Sequence, residues 1–320
     1  MQRFDNMPEV ALDWARAGKK VALATVVQTW GSAPRRTGAQ LVISEGGAIE
    51  GSVSGGCVEG DVVLEALEAF EDGKARMLEY GVADDDAFAV GLACGGTIRV
   101  MVEPVGDVLP LPLLEELVAA RAAREKVAVI SPPGEGARKL VRGGYDERFR
   151  MDRSGFEEDR SFVTIHNAPL RMVIVGAVHI AQALVPMARV AGFDPVIIEP
   201  RPAFGSAARF PGETILDDWP DEAVRTLGLD GRTALVLLTH DPKLDDPALD
   251  AALGSEVFYI GALGSTRTHA KRVERLRTAG KSDAEIAKIH GPIGLDIGAS
   301  GPAEIALAIL AQAVQVLRRP

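Results

Sequence analysis

Aromatic residues make up only 5% of this 320-residue sequence, and it holds just two cysteines, Cys57 and Cys94. With so few rings, the cores must be built from Val, Leu, Ile and Ala. Two cysteines are too few for a secreted disulfide scaffold, so both are expected as thiols, packed or reactive. No apolar run approaches the ~18–20 residues a membrane span needs. The opening MQRFDNMPEV lacks the apolar core of a signal peptide. A soluble, cytoplasmic protein is expected. The net charge is −10, and no cluster of Lys and Arg of the kind that displaces counterions from phosphates is present, which argues against a nucleic-acid partner. Lys271, Arg272 and Arg275 read as one solvated helix face. The chain carries no internal repeat and no low-complexity tract.

Hydrophobic residues make up 47% and charged residues 25%, an ordinary globular balance, and the length favours two domains. A boundary is expected near Asn167 to Leu170, giving residues 1–168 and 169–320. The first part reads as α+β with a mixed sheet. A helix is expected over 5–17, strands at Val21 to Gln28, Ala39 to Ser44 and Thr97 to Val102, and helices at Asp61 to Phe70 and Leu113 to Arg124. A strand at Val127 to Ile130 follows, and 131–165 reads as loops and short strands. From Arg171 the character changes. RMVIVG, PVIIE, ALVLLTH and VFYIG are continuous apolar runs of the kind buried on both faces of a parallel sheet. Alternating with helical segments, they indicate a Rossmann-like, doubly wound fold.

The turn after the first of these strands is Gly176-Ala177-Val178-His179-Ile180-Ala181. Gly176 and Ala181 suit a GxGxxA dinucleotide fingerprint, but Val178 stands where a glycine normally lets a pyrophosphate approach the backbone. Glu199, about 20 residues on, occupies the place that reads a ribose hydroxyl. The domain either binds a nucleotide or keeps the fold without tight dinucleotide binding. His179 opens the next helix, where it either meets a phosphate or caps the helix. His240 and Asp241 end ALVLLTH, and Gly264 and Ser265 lie in the GALGS turn. Both segments fall at the carboxyl ends of strands, where ligands of such folds bind. GALGS either cradles a phosphate with its N–H groups or simply turns strand into helix.

In the first part, Cys57 sits in Ser54-Gly55-Gly56-Cys57-Val58-Glu59-Gly60, where a helix is expected to begin. A thiol near a helix N-terminus meets unpaired N–H groups and a positive dipole end, which lower its pKa, and a thiolate is a soft-metal ligand. Gly55 and Gly56 permit close approach of a bulky ligand, and Glu59 is a candidate proton acceptor or ligand holder. Cys94 also precedes a Gly-Gly pair. Its distance from Cys57 excludes a local metal motif, and both thiols could equally be packed. Arg35 and Arg36 follow Pro34. One is expected to clamp a phosphate and the other to make a surface salt bridge. Asp84-Asp85-Asp86 reads as a solvated loop.

Taken together, Gly31-Ser32-Ala33-Pro34-Arg35, GSVSGGCVEG, ACGGTIRVMVEP, VIVGAVHIA, IIEPRP, LLTHD, YIGALGS and GPIGLDIGASGPAEIALAILA resemble the xanthine dehydrogenase accessory factor family, also described for carbon monoxide dehydrogenase maturation. The likeness runs in order along nearly the whole chain, most weakly from about 105 to 165. It departs at Val178, where the family usually has glycine, and at Glu199, where aspartate is more usual. The resemblance implies a cofactor chaperone with no turnover of its own. Such a protein binds molybdenum cofactor, a pterin carrying a phosphate and a dithiolene-held molybdenum. It supports sulfuration of the metal and delivers the cofactor to a molybdenum hydroxylase apoenzyme. A cysteine desulfurase would supply the sulfur, and a homodimer is expected. Cys57 is then the candidate metal contact, Cys94 the second, and Arg35 the candidate for the pterin phosphate. Two other readings stand beside this one: an NAD(P)-dependent oxidoreductase using the second domain, and a scaffold that docks a hydroxylase and binds no small molecule.

Overall fold

A computed structural model describes residues 6–31, 35–81, 96–134 and 136–319. The chain divides into two compact units, Met1–Ala168 and Pro169–Pro320. Cys94 and the Asp84-Asp85-Asp86 run lie outside the described residues.

The N-terminal unit runs α1 (Met7–Arg16), β1 (Val21–Trp30), β2 (Gln40–Ser44), β3 (Ile49–Gly51), α2 (Glu59–Asp72), β4 (Arg76–Tyr80) and β5 (Thr97–Pro104). It continues through α3 (Leu111–Ala122), β6 (Val127–Ser131), β7 (Lys139–Val141), α4 (Asp146–Met151), β8 (Gly155–Phe156) and β9 (Phe162–His166). Its larger sheet has the order β3-β2-β1-β5-β4. Every strand pair in it is antiparallel, so the expected mixed sheet is corrected. Parallel neighbours need a crossover of a dozen or more residues, and the β1–β2 and β2–β3 links are too short to supply one. Alternation along the strands sends Ala22, Ala24, Val26, Val100 and Val102 to one face, where Val58, Val62 and Ala66 of the α2 region close a core. Val21, Leu23 and Val42 pack on the other face with α1 and α3. The stretch 131–165 supplies a second antiparallel sheet, β7-β6-β9-β8, and one six-residue helix.

The C-terminal unit runs β10 (Leu170–Val175), α5 (His179–Val190), β11 (Phe193–Ile198), β12 (Thr214–Leu216), α6 (Pro220–Leu227) and β13 (Thr233–Leu237). Then come α7 (Pro242–Leu253), β14 (Tyr259–Ala262), α8 (Thr266–Thr278), α9 (Asp283–Ile286), β15 (Ile289–His290) and α10 (Pro302–Arg318). The six strands are parallel and ordered β12-β11-β10-β13-β14-β15. This is the doubly wound Rossmann arrangement, with its switch point between β10 and β13. One face packs on α5 and α10 around Met172, Ile174 and Ile309. The other packs on α6 and α7 around Val173, Val175 and Leu249. The apolar runs are buried on both faces, which is why they read as continuous rather than alternating. Among the described residues, no helix is long and apolar enough to cross a membrane.

Candidate functional site

In the N-terminal unit the glycine loop between β3 and α2 is shaped by a single carboxylate. Glu59, at the first position of α2, reaches back over the loop. Its Oε1 accepts from Ser52 Oγ (2.7 Å) and from the backbone N–H groups of Val53 (3.1 Å), Ser54 (2.9 Å) and Gly55 (3.1 Å). Its Oε2 accepts from the Gly56 N–H (2.9 Å) and the Ser54 hydroxyl. Gly55 and Gly56 take φ of 83° and 113°, which lets successive N–H groups converge on one anion. Hydrogen bonds from Ser54 and Ser52 outweigh burial and hold the carboxyl at about 2, well below its ordinary value. Glu59 is therefore the clamp of the loop. The role of proton acceptor does not suit a group so acidic and so fully engaged.

The same network carries the two other N-terminal candidates that are described. The Cys57 N–H donates to Ser54 Oγ (2.9 Å), and its half-buried side chain lies against the core under α2. Arg35 Nε donates to the Ser52 carbonyl (3.1 Å), which ties the arginine loop to the cysteine loop across a 17-residue separation. No carboxylate among the described residues pairs with Arg35. Arg36, by contrast, makes a surface salt bridge to Asp152 (3.2 Å). Of the two neighbouring arginines, Arg36 is in an ion pair and Arg35 is held by a backbone carbonyl of the cysteine loop. A side chain built at Gly56 or Gly60 would meet none of the described residues within 4 Å. Among the described residues no three of His, Cys, Asp and Glu gather as a metal site, and Cys57 is a single soft donor.

A cavity of about 1070 Å³ lies elsewhere in this unit. Met77, Arg99 and Met101 line it from the sheet face opposite α2, and Phe156 and Phe162 line it from the second sheet. Neither Cys57 nor Arg35 reaches it. Its wall includes Arg138, whose Nε donates to Glu103 Oε1 at 2.7 Å in a fully buried pair joined by Ser131. The cavity offers volume, but the soft donor and a guanidinium with no carboxylate partner among the described residues favour the loop. Chemistry outweighs volume here, since a ligand bound at a loop needs no preformed chamber.

In the C-terminal unit, the residues nominated from sequence all fall at the carboxyl edge of the parallel sheet. Gly176 follows β10 with φ of 107°, and a Cβ there would lie 2.7 Å from Thr239 Cγ2, so both the turn and the packing demand glycine. His179 is exposed at the start of α5. His240, exposed and at φ 58°, precedes Asp241, whose side chain caps α7 by accepting from the Lys243 N–H (3.0 Å). Gly264 leads into Ser265, which caps α8 by accepting from the Thr268 N–H (3.2 Å). Asp241 and Ser265 are thus engaged as caps.

Glu199 is fully buried, and its oxygens are occupied. Arg201 Nε (2.7 Å), Arg201 Nη2 (2.8 Å), the Arg201 N–H (3.1 Å) and the Ala177 N–H (2.8 Å) all donate to it. Four donors match the roughly four acceptor positions of a carboxylate. Burial works against the ionised form, but these bonds win and hold the carboxyl below its ordinary value. The ribose-reading role expected for Glu199 does not fit this arrangement. Its partner is instead an N–H of the fingerprint turn itself, whose Ala177 carbonyl also accepts from Arg209 Nη1 (2.7 Å).

Comparison with known proteins agrees with this architecture. A model described as the XdhC Rossmann domain matches residues 172–313, and one described as the XdhC and CoxI family matches residues 14–81. The chain is 33% identical over 307 residues to the molybdenum cofactor insertion chaperone PaoD of Escherichia coli strain K12, covering 96% of this chain and 86% of that one. It is 25% identical to a probable xanthine dehydrogenase component of Bacillus subtilis strain 168, covering 100% and 99%. Among solved structures, one described as a xanthine dehydrogenase from Bacillus halodurans superposes with a TM-score of 0.79 at 28% identity, covering 98% of this chain and 96% of that one.

Proposed function

Since this chain belongs to the XdhC and CoxI family, we propose that it binds molybdenum cofactor on the Cys57 loop, supports its sulfuration and delivers it to a molybdenum hydroxylase apoenzyme. The observation that carries the residue assignment is the coupling of Arg35 and Cys57 to one loop clamped by Glu59. The cofactor brings its own dithiolene-held metal, so the chain needs to add only one soft donor and one anion clamp. Cys57 supplies the first and Arg35 the second. Cys94 is the second thiol of the proposal, a cysteine desulfurase is the sulfur donor, and the working form is a homodimer. The chain acts as a carrier with no turnover of its own, and the C-terminal unit need not hold a nucleotide.

The test is molybdenum by mass spectrometry and pterin fluorescence after oxidation, on protein purified anaerobically from a molybdopterin-making host. Wild type is expected to carry both at comparable levels. Cys57→Ala and Arg35→Ala should each fall by about tenfold, the effect of losing one interaction of about 1.4 kcal/mol. Equal loading of all three proteins would move the site off this loop. Light scattering on the same preparations reads the dimer.

A further inference from the structure

The sequence of helix α8 suggests a solvated basic face, and the structure corrects this at one residue. Arg272 is 2% exposed. It falls with Thr268 and Leu276 at i±4 positions on the inward side of the helix. Its Nη2 donates to the Leu263 carbonyl (2.9 Å) and lies 3.5 Å from Asp245 Oδ2. Its Nε and Nη1 are buried without a hydrogen-bond partner among the described residues. Buried guanidinium donors left unpaired are costly, and such groups in native structures call for an explanation.

The same side chain lines a pocket of about 260 Å³ between the start of α7 and α8, with His240, Thr268, Arg267, Lys271 and Arg275. Four cationic side chains and one carboxylate, Asp245, line it, and a second carboxylate, Asp246, lies next in the chain. Asp246 is taken up by Arg275 through contacts of 2.6 and 2.9 Å, and Asp245 is shared between Arg272 and Thr239. Arg267 and Lys271 have no ion pair among the described residues. A protein of net charge −10 therefore holds a local surplus of two positive charges around a buried, half-satisfied arginine. The volume falls below the range of whole drug-sized ligands and suits a small anion with its waters.

We propose that this pocket binds a tetrahedral dianion of the phosphate class, either free or as the terminal phosphate monoester of a larger molecule. Arg272 forms the floor, and Arg267 and Lys271 form the rim. The site and the Cys57 loop belong to different compact units, and the two assignments can fail separately.

Isothermal titration of the full-length chain at low salt tests it, with inorganic phosphate in one arm, ribose 5-phosphate in the other, and chloride at matched ionic strength as the blank. At least one of the two is expected to bind more tightly than about 1 mM and to weaken as salt rises. The Arg267→Gln/Lys271→Gln double variant changes only exposed side chains and should fold as wild type. Its binding should weaken by tenfold or more, and Arg272→Lys should weaken it as well, since lysine lacks the planar donor fork. Phosphate binding alone, or equal binding in both arms, identifies a free-anion site. Preference for the monoester identifies a headgroup site. No heat in either arm, or binding unchanged in the double variant, overturns the proposal.

Discussion

Glu59→Ala is expected to destabilise the N-terminal unit by about 3–5 kcal/mol. The carboxylate satisfies six donors. Of these, the N–H groups of Val53 and Ser54 are buried and would find no water. An unpaired buried donor costs about 1–3 kcal/mol, and the exposed glycine N–H groups add little because solvent replaces the lost bond. Urea unfolding followed by tryptophan fluorescence measures the loss. Trp14 and Trp30 report the N-terminal unit, and Trp219→Phe, at an exposed position, silences the other. The pH dependence supplies a second check. The folded carboxyl titrates at about 2 against an ordinary value of 4.5, so its stabilisation is complete above about pH 4.5 and fades as the pH falls toward 2. The gap between wild type and variant should stay constant from neutral pH down to about 5 and then close. A cost below about 1 kcal/mol at neutral pH would show that the loop holds its shape without the clamp.

Glu103→Leu should cost the same unit about 3–5 kcal/mol, because it strands the Arg138 guanidinium in the interior. Both side chains are nearly inaccessible, at 3% and 5%. Among the described residues, Arg138 would retain only its bond to the Gly136 carbonyl (2.7 Å). The double variant Glu103→Leu/Arg138→Met should recover most of the loss, since removing both charges also removes their desolvation cost. The same fluorescence assay run as a double-mutant cycle measures the coupling. Strictly additive losses would mean that the two groups do not depend on each other, contrary to their 2.7 Å contact.

Buried parallel strands are the most legible part of this chain, because a run such as RMVIVG is apolar at nearly every position only when both faces are covered. The antiparallel order of the N-terminal sheet is less legible. The edge strand β4, Arg76-Met77-Leu78-Glu79-Tyr80, breaks the alternation of polar and apolar residues within just five positions and resembles a loop continuation. The candidate residues divide by a physical ambiguity. Asp and Ser at strand-to-helix turns serve equally as ligands or as helix caps, and Asp241 and Ser265 prove to be caps. Glu199 and Glu59 stand at positions that suit ligand contact, but Glu59 is occupied by donors from its own loop and Glu199 by Arg201 and the Ala177 N–H of the fingerprint turn, and short-range sequence does not reveal such satisfaction. Arg272 is hidden for the opposite reason. A basic helix looks solvated throughout unless its i±4 partners, Thr268 and Leu276, are used to mark the inward stripe.

The fixed charge of Glu59 has a calorimetric consequence. A carboxyl that titrates near 2 carries no proton at neutral pH, with a ligand on the loop or without one. Binding there exchanges no proton with Glu59. Heats of binding compared across buffers of different ionisation enthalpy will therefore contain no contribution from this carboxyl.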